Sequence, residues 1–354
     1  MIFPISAERA SDSRISNPEF PANRRKPIMI RRMLVVLALM LWPGVGVAQV
    51  WQAIQVEAAR CAKGGPWNFW VHRGQPDRLL VYLQGGGGCW LKANCDLADR
   101  PTFDPVVEER DNPANADGIL AIDRPANPFR GWTVVYIPYC TADVHLGARQ
   151  VDYAGVPMDH RGAGNAAAAI DWIGKEIKQP REIVVAGGSA GAIPVPVYST
   201  RLAARFPRAR ITGIGDGAGG YRAPRIPGIL AGWGVRQSLS DLPMFAAIDS
   251  AKLTFESLYI EAGRANPKLR LAQINQDRDA VQLQFLEILG ITGEPLAPLL
   301  QANLDDIQTA IPTFRRYLIS SEEHTILTRP AFYTTVVEGV ALPDWVAATI
   351  GGKR

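Results

Sequence analysis

The segment EIVVAGGSAG, Glu182–Gly191, joins a short apolar run to a glycine-rich turn that contains a serine. Its G-x-S-x-G pattern stands where a strand would end and a helix would begin. Such a turn is strained, so small residues flank the serine and its hydroxyl projects clear of the sheet. The pattern therefore predicts that Ser189 is a nucleophile presented at a strand-to-helix turn.

Strand-like and helix-like segments alternate on both sides of this turn, which favours a doubly wound, mainly parallel α/β sheet with flanking helices. No internal repeat or linker divides residues 49–354, so we expect one α/β-hydrolase-like catalytic domain there. The apolar patches of 224–267 are expected to form helices over the strand ends and to shape a pocket. The predicted strands are Arg78–Leu83, Trp132–Ile137, Glu182–Ala186, Arg210–Gly215, Leu269–Asn275 and Phe314–Ile319, and the predicted helices are His160–Ile177 and Ala190–Phe206.

The first 48 residues have the pattern of an N-terminal extension that ends in a secretory signal peptide. Arg31 and Arg32 precede the apolar run Leu34–Trp42, and small residues follow as far as Ala48. A run of this length is too short to span a bilayer. We expect cleavage after Ala48, a secreted or periplasmic protein, and no stable membrane insertion after cleavage.

The distribution of charge argues against a nucleic-acid partner. The chain has a net charge of +4, but residues 1–48 hold seven of its 38 Lys and Arg residues and three of its 34 Asp and Glu residues. The remainder is formally neutral and carries no basic footprint for nucleic acid or an anionic membrane. No P-loop sequence and no dinucleotide fingerprint are present either, so we expect no cofactor.

The four cysteines, Cys61, Cys89, Cys95 and Cys140, lie in the first third of the expected mature chain. An even number in an exported protein indicates two disulfides. Cys89 and Cys95 are close enough in sequence to close a small loop, and Cys61 would then pair with Cys140. Zinc ligation is the rival, but no C-x-x-C pair supports it, and no metal is expected. Free buried thiols are the remaining alternative.

Ser189 needs a base, because a serine hydroxyl is a weak nucleophile on its own. Of four histidines, His324 lies five residues beyond the last predicted strand, where the histidine of an α/β hydrolase belongs. An acid should lie between the two in sequence, and Asp277 and Asp279 both qualify by position. The acid would hold the tautomer of the imidazole and stabilise its charged form.

A second glycine run, QGGGGCW (Gln84–Trp90), follows the first predicted strand. It resembles the HGGG-type loop, whose backbone N–H groups face the negative charge of the reaction. We expect an oxyanion hole formed by the N–H groups of Gly85, Gly86 and Ala190. A flexible turn or a phosphate cradle is the alternative interpretation of the glycines.

Other polar residues near these motifs are expected to have supporting roles. We interpret His145 and His160 as structural or pocket-lining residues. Asp143 and Asp216 are interpreted as turn residues that bond to local backbone, which aspartate does readily.

Four segments together resemble the pectin acetylesterase/Notum family of α/β hydrolases: Leu80–Cys89, Ile137–Gly147, Gly187–Gly191 and Asp279–Gln282. The resemblance runs from about residue 61 to residue 346. It favours Asp279 over Asp277 as the acid, because the last segment matches the family's D-x-x-Q pattern. It also supports the Cys61–Cys140 pair, since the family has a cysteine at the first of these positions.

The resemblance implies an exported serine carboxylesterase that removes acyl groups from sugar or protein hydroxyls. Its partner would be an acylated small molecule or an acetylated polysaccharide such as pectin. The chain departs from the family near the expected pocket mouth, with Gln84 in place of Glu, Gly88 in place of an aromatic residue, and His145 where Notum has Trp. Two alternatives stay open: a lipase or polyester-type esterase, and a non-catalytic ligand-binding protein on the same scaffold.

Overall fold

The computed structural model of the chain describes residues 51–352, so the expected leader over residues 1–48 lies outside the described part. The strands are β1 (Gln52–Arg60), β2 (Pro66–His72), β3 (Gln75–Leu83), β4 (Trp132–Ile137), β5 (Arg149–Asp152), β6 (Pro157–His160), β7 (Glu182–Gly188), β8 (Arg210–Asp216), β9 (Arg270–Gln276), β10 (Arg315–Ile319), β11 (Val336–Val337) and β12 (Val340–Ala341). The helices are α1 (Lys92–Cys95), α2 (Gly162–Glu176), α3 (Val195–Arg205), α4 (Ile226–Gly232), α5 (Val235–Ser238), α6 (Pro243–Ala246), α7 (Phe255–Ala265), α8 (Ala280–Ile288), α9 (Leu296–Ala310) and α10 (Leu342–Gly351).

Eight strands form one sheet in the order β1-β2-β4-β3-β7-β8-β9-β10. The pairs β1·β2 and β2·β4 are antiparallel, and every other neighbouring pair in this sheet is parallel. This topology confirms the predicted α/β-hydrolase-like, mainly parallel sheet. Because the parallel strands share one direction, the carboxyl ends of β3, β7, β8, β9 and β10 meet at one edge, where open α/β sheets bind their ligands.

Side chains that alternate along the central strands divide the core between the two faces of the sheet. In β3, Leu79, Val81 and Leu83 share an apolar cluster with residues of α2, α3 and α7. The intervening Leu80 and Tyr82 pack in a second cluster with residues of α10. Strands that are buried on both faces are continuous apolar runs in sequence, which is why the sequence predicts them.

All of the predicted strands and both predicted helices are present; Trp132–Ile137 has the predicted bounds, and the others are shifted at one or both ends. The helix after the serine was predicted from Ala190 but begins at Val195, because a 3-10 turn, Ser189–Gly191, comes first. Strands β1 and β2 and the hairpin of β5 and β6 were not predicted. Most side chains of β1 are exposed or half-buried, so that strand carries no apolar run.

The segment between β8 and β9 forms α4, α5, α6 and α7, which are the helices expected from residues 224–267. Their buried side chains, among them Leu230, Phe245 and Leu258, belong to the apolar cluster on the α3 face of the sheet. None of the helices within residues 51–352 is long and apolar enough to cross a membrane.

Both expected disulfides are present. Cys61–Cys140 joins the connection between β1 and β2 to the chain directly after β4. Cys89–Cys95 closes a short loop at the end of the glycine run. All four thiols are therefore bonded, which corrects the alternatives of zinc ligation and of free thiols.

The two disulfides should contribute unequally to stability, because a bridge that encloses a longer loop restricts the unfolded chain more. The sequence separations are 79 residues for Cys61–Cys140 and 6 for Cys89–Cys95. We expect a loss of about 4 kcal/mol for Cys61→Ser with Cys140→Ser, and of about 2 kcal/mol for Cys89→Ser with Cys95→Ser. Urea unfolding of the two double variants measures both losses. Equal losses, or a larger loss for the short loop, would contradict this account.

Candidate active site

Ser189 lies at the sharp turn between β7 and α3, at the carboxyl edge of the sheet. Its φ is +53°, in the left-handed region that a residue with a side chain rarely adopts. A residue held in that region stores backbone strain, which is found most often at functional turns. The serine is 9% exposed and lines two neighbouring cavities. This is the backbone geometry that the G-x-S-x-G pattern predicts.

Close approach of backbones explains the glycines of this turn. A Cβ at Gly187 would collide with the carbonyl oxygen of Gly191, and a Cβ at Gly191 would collide with the carbonyl oxygen of Leu83. A backbone oxygen cannot rotate away as the end of a side chain can. Alanine at Gly187 would therefore distort the serine turn itself, and alanine at Gly191 would push the turn away from β3.

His324 lies in the loop after β10, and its Nδ1 is 2.7 Å from Oδ2 of Asp279. The carboxylate is fully buried, and the histidine side chain is 17% exposed. A carboxylate oxygen only accepts hydrogen bonds, so Nδ1 carries the proton and donates it. The neutral imidazole therefore has its lone pair at Nε2, the nitrogen that a general base needs.

Asp279 is held rigidly because it also caps α8. Its Oδ1 accepts hydrogen bonds from the backbone N–H groups of Val281 and Gln282, each at 3.0 Å. The side-chain amide of Gln282 donates to Oδ2 at 3.1 Å. Donors on both oxygens fix the plane of the carboxylate, so its hydrogen bond fixes the plane of the His324 ring.

The structure brings Asp279 to the imidazole and leaves Asp277 away from it. The nearest cation to the Asp277 carboxylate is the neighbouring Arg278, with Nε 3.6 Å from Oδ1. The backbone N–H of Asp277 donates to Ile319 in β10, so this residue continues the pairing of the sheet. Its carboxylate makes no ion pair with His324, which is paired with Asp279.

Ser189 and His324 line the same cavity at the sheet edge. Within the described part of the chain, His324 Nε2 is buried and makes no hydrogen bond, so Ser189 Oγ is not bonded to it. Catalytic hydrogen bonds are often long without substrate and shorten when the substrate binds. The arrangement therefore has the parts of a serine–histidine pair in an open geometry.

The residues expected to form the oxyanion hole surround the serine. Gly85 and Gly86 line the cavity that holds Ser189 and His324, and Ala190 lines the neighbouring one. A Cβ at Gly85 would lie 2.5 Å from the carbonyl oxygen of Gly188 and 2.8 Å from the Cβ of Ser189. The glycine loop therefore lies directly against the serine turn, and only glycine allows this approach.

Asp216, expected to be a turn residue, holds the loop that carries His324. It ends β8, is fully buried, and accepts hydrogen bonds from the backbone N–H groups of Ile326 at 2.7 Å and Leu327 at 2.8 Å. Burial raises the pKa of this carboxyl to about 6. No local sequence pattern indicates this contact, because it joins residues 110 positions apart.

Two cavities with different linings meet at Ser189. The first, here the apolar cavity, has a volume of about 40 Å³. The second, here the open cavity, has a volume of about 380 Å³. The apolar cavity is lined chiefly by Trp90, Val144, Ile193, Tyr221, Ile226, Ile229, Trp233, Phe255, Phe285 and Leu289. The open cavity presents the polar groups of Tyr82, Gln84, Thr102, Tyr136, His324, Thr325 and Thr328.

The remaining polar candidates lie in the scaffold beside the site. Asp143 is buried and accepts hydrogen bonds from the hydroxyl of Thr141 and from the N–H of Gly162, at the start of α2. His160 is bonded to the carbonyl of Thr141 and to the hydroxyl of Tyr153. Within residues 51–352, no cluster of three or more His, Cys, Asp or Glu side chains is arranged to hold a metal ion.

Comparison with known proteins agrees with this architecture. The family model described as pectinacetylesterase matches residues 47–222. Human palmitoleoyl-protein carboxylesterase NOTUM is 28% identical over 171 residues, which cover 44% of this chain and 33% of the human protein. Pectin acetylesterase 7 of Arabidopsis thaliana is 23% identical over 181 residues, 50% of this chain and 46% of the plant protein.

A zebrafish (Danio rerio) relative is described as an inactive palmitoleoyl-protein carboxylesterase, notum1b, and is 29% identical over 119 residues, 32% of this chain and 82% of that protein. The match to the human and mouse Notum proteins spans about a third of their length. The family model, the relatives and the mainly parallel sheet agree with one another. The chain belongs to the pectin acetylesterase/Notum family.

Proposed function

We propose that this protein is a serine carboxylesterase that hydrolyses short acyl esters, chiefly acetyl esters, on carbohydrate. The observation that carries the proposal is the position of Ser189. It lies on a strained turn where the apolar cavity and the open cavity meet, beside the His324–Asp279 pair. Named relatives are carboxylesterases and a pectin acetylesterase, which supports the same chemistry.

In the proposed reaction, Ser189 Oγ attacks the carbonyl carbon of the ester while its proton passes to Nε2 of His324. The tetrahedral oxyanion would accept hydrogen bonds from the N–H groups of Gly85, Gly86 and Ala190. The imidazolium then protonates the leaving alcohol, and an acyl-enzyme remains. Water then attacks the acyl-enzyme in the same way, with His324 again as the base, and the carboxylic acid is released. Asp279 holds Nδ1–H throughout and stabilises the imidazolium.

The apolar cavity fits the acyl group, and its size argues for a short one. A volume of about 40 Å³ accommodates about three water-sized groups. Among the side chains that enclose it, Ile226 and Ile229 belong to α4 and Phe255 begins α7. An acetyl group fits this space, whereas a long acyl chain would require the helices to move.

The open cavity fits the alcohol side of the ester. Its volume of about 380 Å³ is within the range of small-molecule sites. Hydroxyl groups in its lining can bond to sugar hydroxyls, as the carbohydrate proposal requires. Among the described residues, its lining contains no lysine or arginine. The polyanionic chain of pectin has no cationic partner there, so a neutral acetylated polysaccharide fits the lining better.

We also propose that the protein is exported, to the periplasm or the medium. Both disulfides belong to the described fold, and disulfides persist in oxidising compartments. The pattern of residues 31–48 is that of a signal peptide. Mature protein recovered outside the cytoplasm with an N-terminus at residue 49 would support both parts of this proposal.

Release of acetate tests the function directly. We expect the mature protein to release acetate from acetylated xylan oligomers and, more slowly, from acetylated pectin. Ser189→Ala removes only the nucleophilic oxygen, so it should lower the rate about 10³-fold or more and leave the melting temperature unchanged. Activity of this variant within tenfold of the wild type would exclude Ser189 as the nucleophile. Failure of a fluorophosphonate to label the wild-type serine would instead favour a non-catalytic binding protein.

Replacement of the two neighbouring aspartates should separate their roles. Asp279→Asn presents an amide N–H to Nδ1 of His324, which forces the proton onto Nε2 and removes the base. We expect kcat/KM to fall about 10³- to 10⁴-fold. Asp277→Asn is the matched control, since its side chain lies away from the imidazole, and should stay within about fivefold of wild type. The reverse pattern would transfer the role of the acid to Asp277.

The length of the acyl chain tests the apolar cavity. Hydrolysis of p-nitrophenyl acetate should exceed that of the octanoate by about tenfold or more in kcat/KM, because the longer chain does not fit. Ile229→Ala enlarges the cavity and should shift the preference towards longer esters. Ile170→Ala, on α2, is the control, since it makes the same truncation at a similarly buried site outside the cavity. Equal rates on acetate and octanoate in the wild type would favour a lipase or polyester-type esterase.

A further inference from the structure

The imidazole of His145 contacts the start of the glycine loop. Its Nε2 is 2.8 Å from the backbone carbonyl oxygen of Gln84, and the residue is 1% exposed. Burial lowers the pKa of this histidine to about 4, so the ring is neutral near pH 7. A carbonyl oxygen can only accept, so the single proton of the neutral ring is on Nε2 and is donated to Gln84.

This hydrogen bond acts on one end of a rigid unit. The C=O of Gln84 and the N–H of Gly85 belong to the same planar peptide group. A donor on the oxygen therefore fixes the direction of the N–H. It also polarises the peptide, because linked hydrogen bonds strengthen one another. Gly85 N–H is one of the donors assigned above to the oxyanion hole.

The backbone that carries His145 is strained in a way that fixes the ring. Ala142, Val144 and His145 have φ values of +57°, +52° and +57°. Such conformations persist only where the surroundings hold them. The hydroxyl of Tyr198 donates to the carbonyl of His145 at 2.6 Å, and the Tyr139 ring lies 4.6 Å from the imidazole, centroid to centroid. The imidazole is therefore held in place through the backbone of His145 and through the contact of its ring with Tyr139.

The same turn holds the glycine loop at two further points. The Tyr139 hydroxyl accepts from the N–H of Val144 at 2.7 Å and donates to the carbonyl of Gly87 at 3.0 Å. The N–H of Cys89 donates to the carbonyl of Ala142 at 3.1 Å. The loop is thus held at its start, middle and end, and His145 makes the contact nearest to the oxyanion donors.

We propose that His145 is a positioning residue for the oxyanion hole: its Nε2–H holds the Gln84–Gly85 peptide so that the Gly85 N–H faces the oxyanion. The inference rests on the proposed esterase function and deepens it. It gives an active role to a side chain that the sequence indicated only as structural or pocket-lining.

Three variants test this role. His145→Leu removes the donor, His145→Gln keeps an amide donor of similar reach, and His145→Asn keeps a donor that is one bond too short. Loss of a whole oxyanion donor costs about 10²- to 10³-fold in kcat, so misdirection of one should cost about 10- to 100-fold. We expect this loss for Leu and Asn with KM for p-nitrophenyl acetate within about twofold, and recovery of about tenfold for Gln. The Gln and Asn pair suffices if the Leu variant does not fold.

A trifluoromethyl ketone gives a second measurement, because its adduct with the serine places a negative oxygen in the oxyanion hole. Its inhibition constant should rise in parallel with the loss of kcat across the series. His72→Leu is the control: this histidine is fully buried, and neither of its ring nitrogens has a hydrogen-bond partner within the described residues. It lies in β2, outside both cavities, and its kcat should equal that of the wild type.

Equal activity in the Gln and Asn variants, a loss that appears in KM alone, or unchanged affinity for the trifluoromethyl ketone would overturn the proposal. These outcomes differ from a failure of the esterase function itself. In that case the wild-type serine would resist fluorophosphonate labelling, and no variant would have activity to compare.

Discussion

The candidate site depends on the close packing of two backbone turns without side chains between them. The turn after β7 carries Ser189, and the glycine loop after β3 lies against it. A Cβ at Gly85, Gly187 or Gly191 would lie against a backbone oxygen at 2.5 Å or less. Parallel pairing of Leu83 with Gly187 brings the two strand ends level, so both turns leave the sheet at the same height. This pairing brings the glycine loop and the serine turn together.

Buried aspartates connect the loops around this point to the sheet. Asp143 bonds to the start of α2, Asp216 bonds to the loop that follows His324, and Asp279 caps α8. Each carboxylate accepts backbone N–H groups that would otherwise be unpaired in the interior. Burial raises the pKa of Asp143 to about 7 and that of Asp216 to about 6. The hydrogen bonds to these two carboxyls oppose this effect of burial, because they favour the ionised form.

The sequence predicted the parts of the site whose signals are local. A strand that is buried on both faces is a continuous apolar run, and a strained turn needs glycines. The sequence pattern therefore indicated both Ser189 and the glycine loop. His324 followed from its place after the last predicted strand, whereas Asp279 was favoured over Asp277 only by the resemblance to the family. The contact of His145 with Gln84 joins residues 61 positions apart, and that of Asp216 with Ile326 joins residues 110 apart. No local sequence pattern indicates such contacts, because the two residues of each pair come together only in the folded chain.

The chemistry of the site and its specificity depend on different parts of the fold. The serine, the histidine and the glycine loop follow the ends of strands, so the proposed ester hydrolysis depends on the sheet. Under that proposal the acyl group is selected on the other side of Ser189, where Ile229 and Phe255 belong to helices inserted between β8 and β9. Such an insertion can change the volume of the apolar cavity without disturbing any strand end. Relatives are named for palmitoleoyl and for pectin acetyl esters. Under the proposed function, the small apolar cavity of this chain would favour the shorter ester.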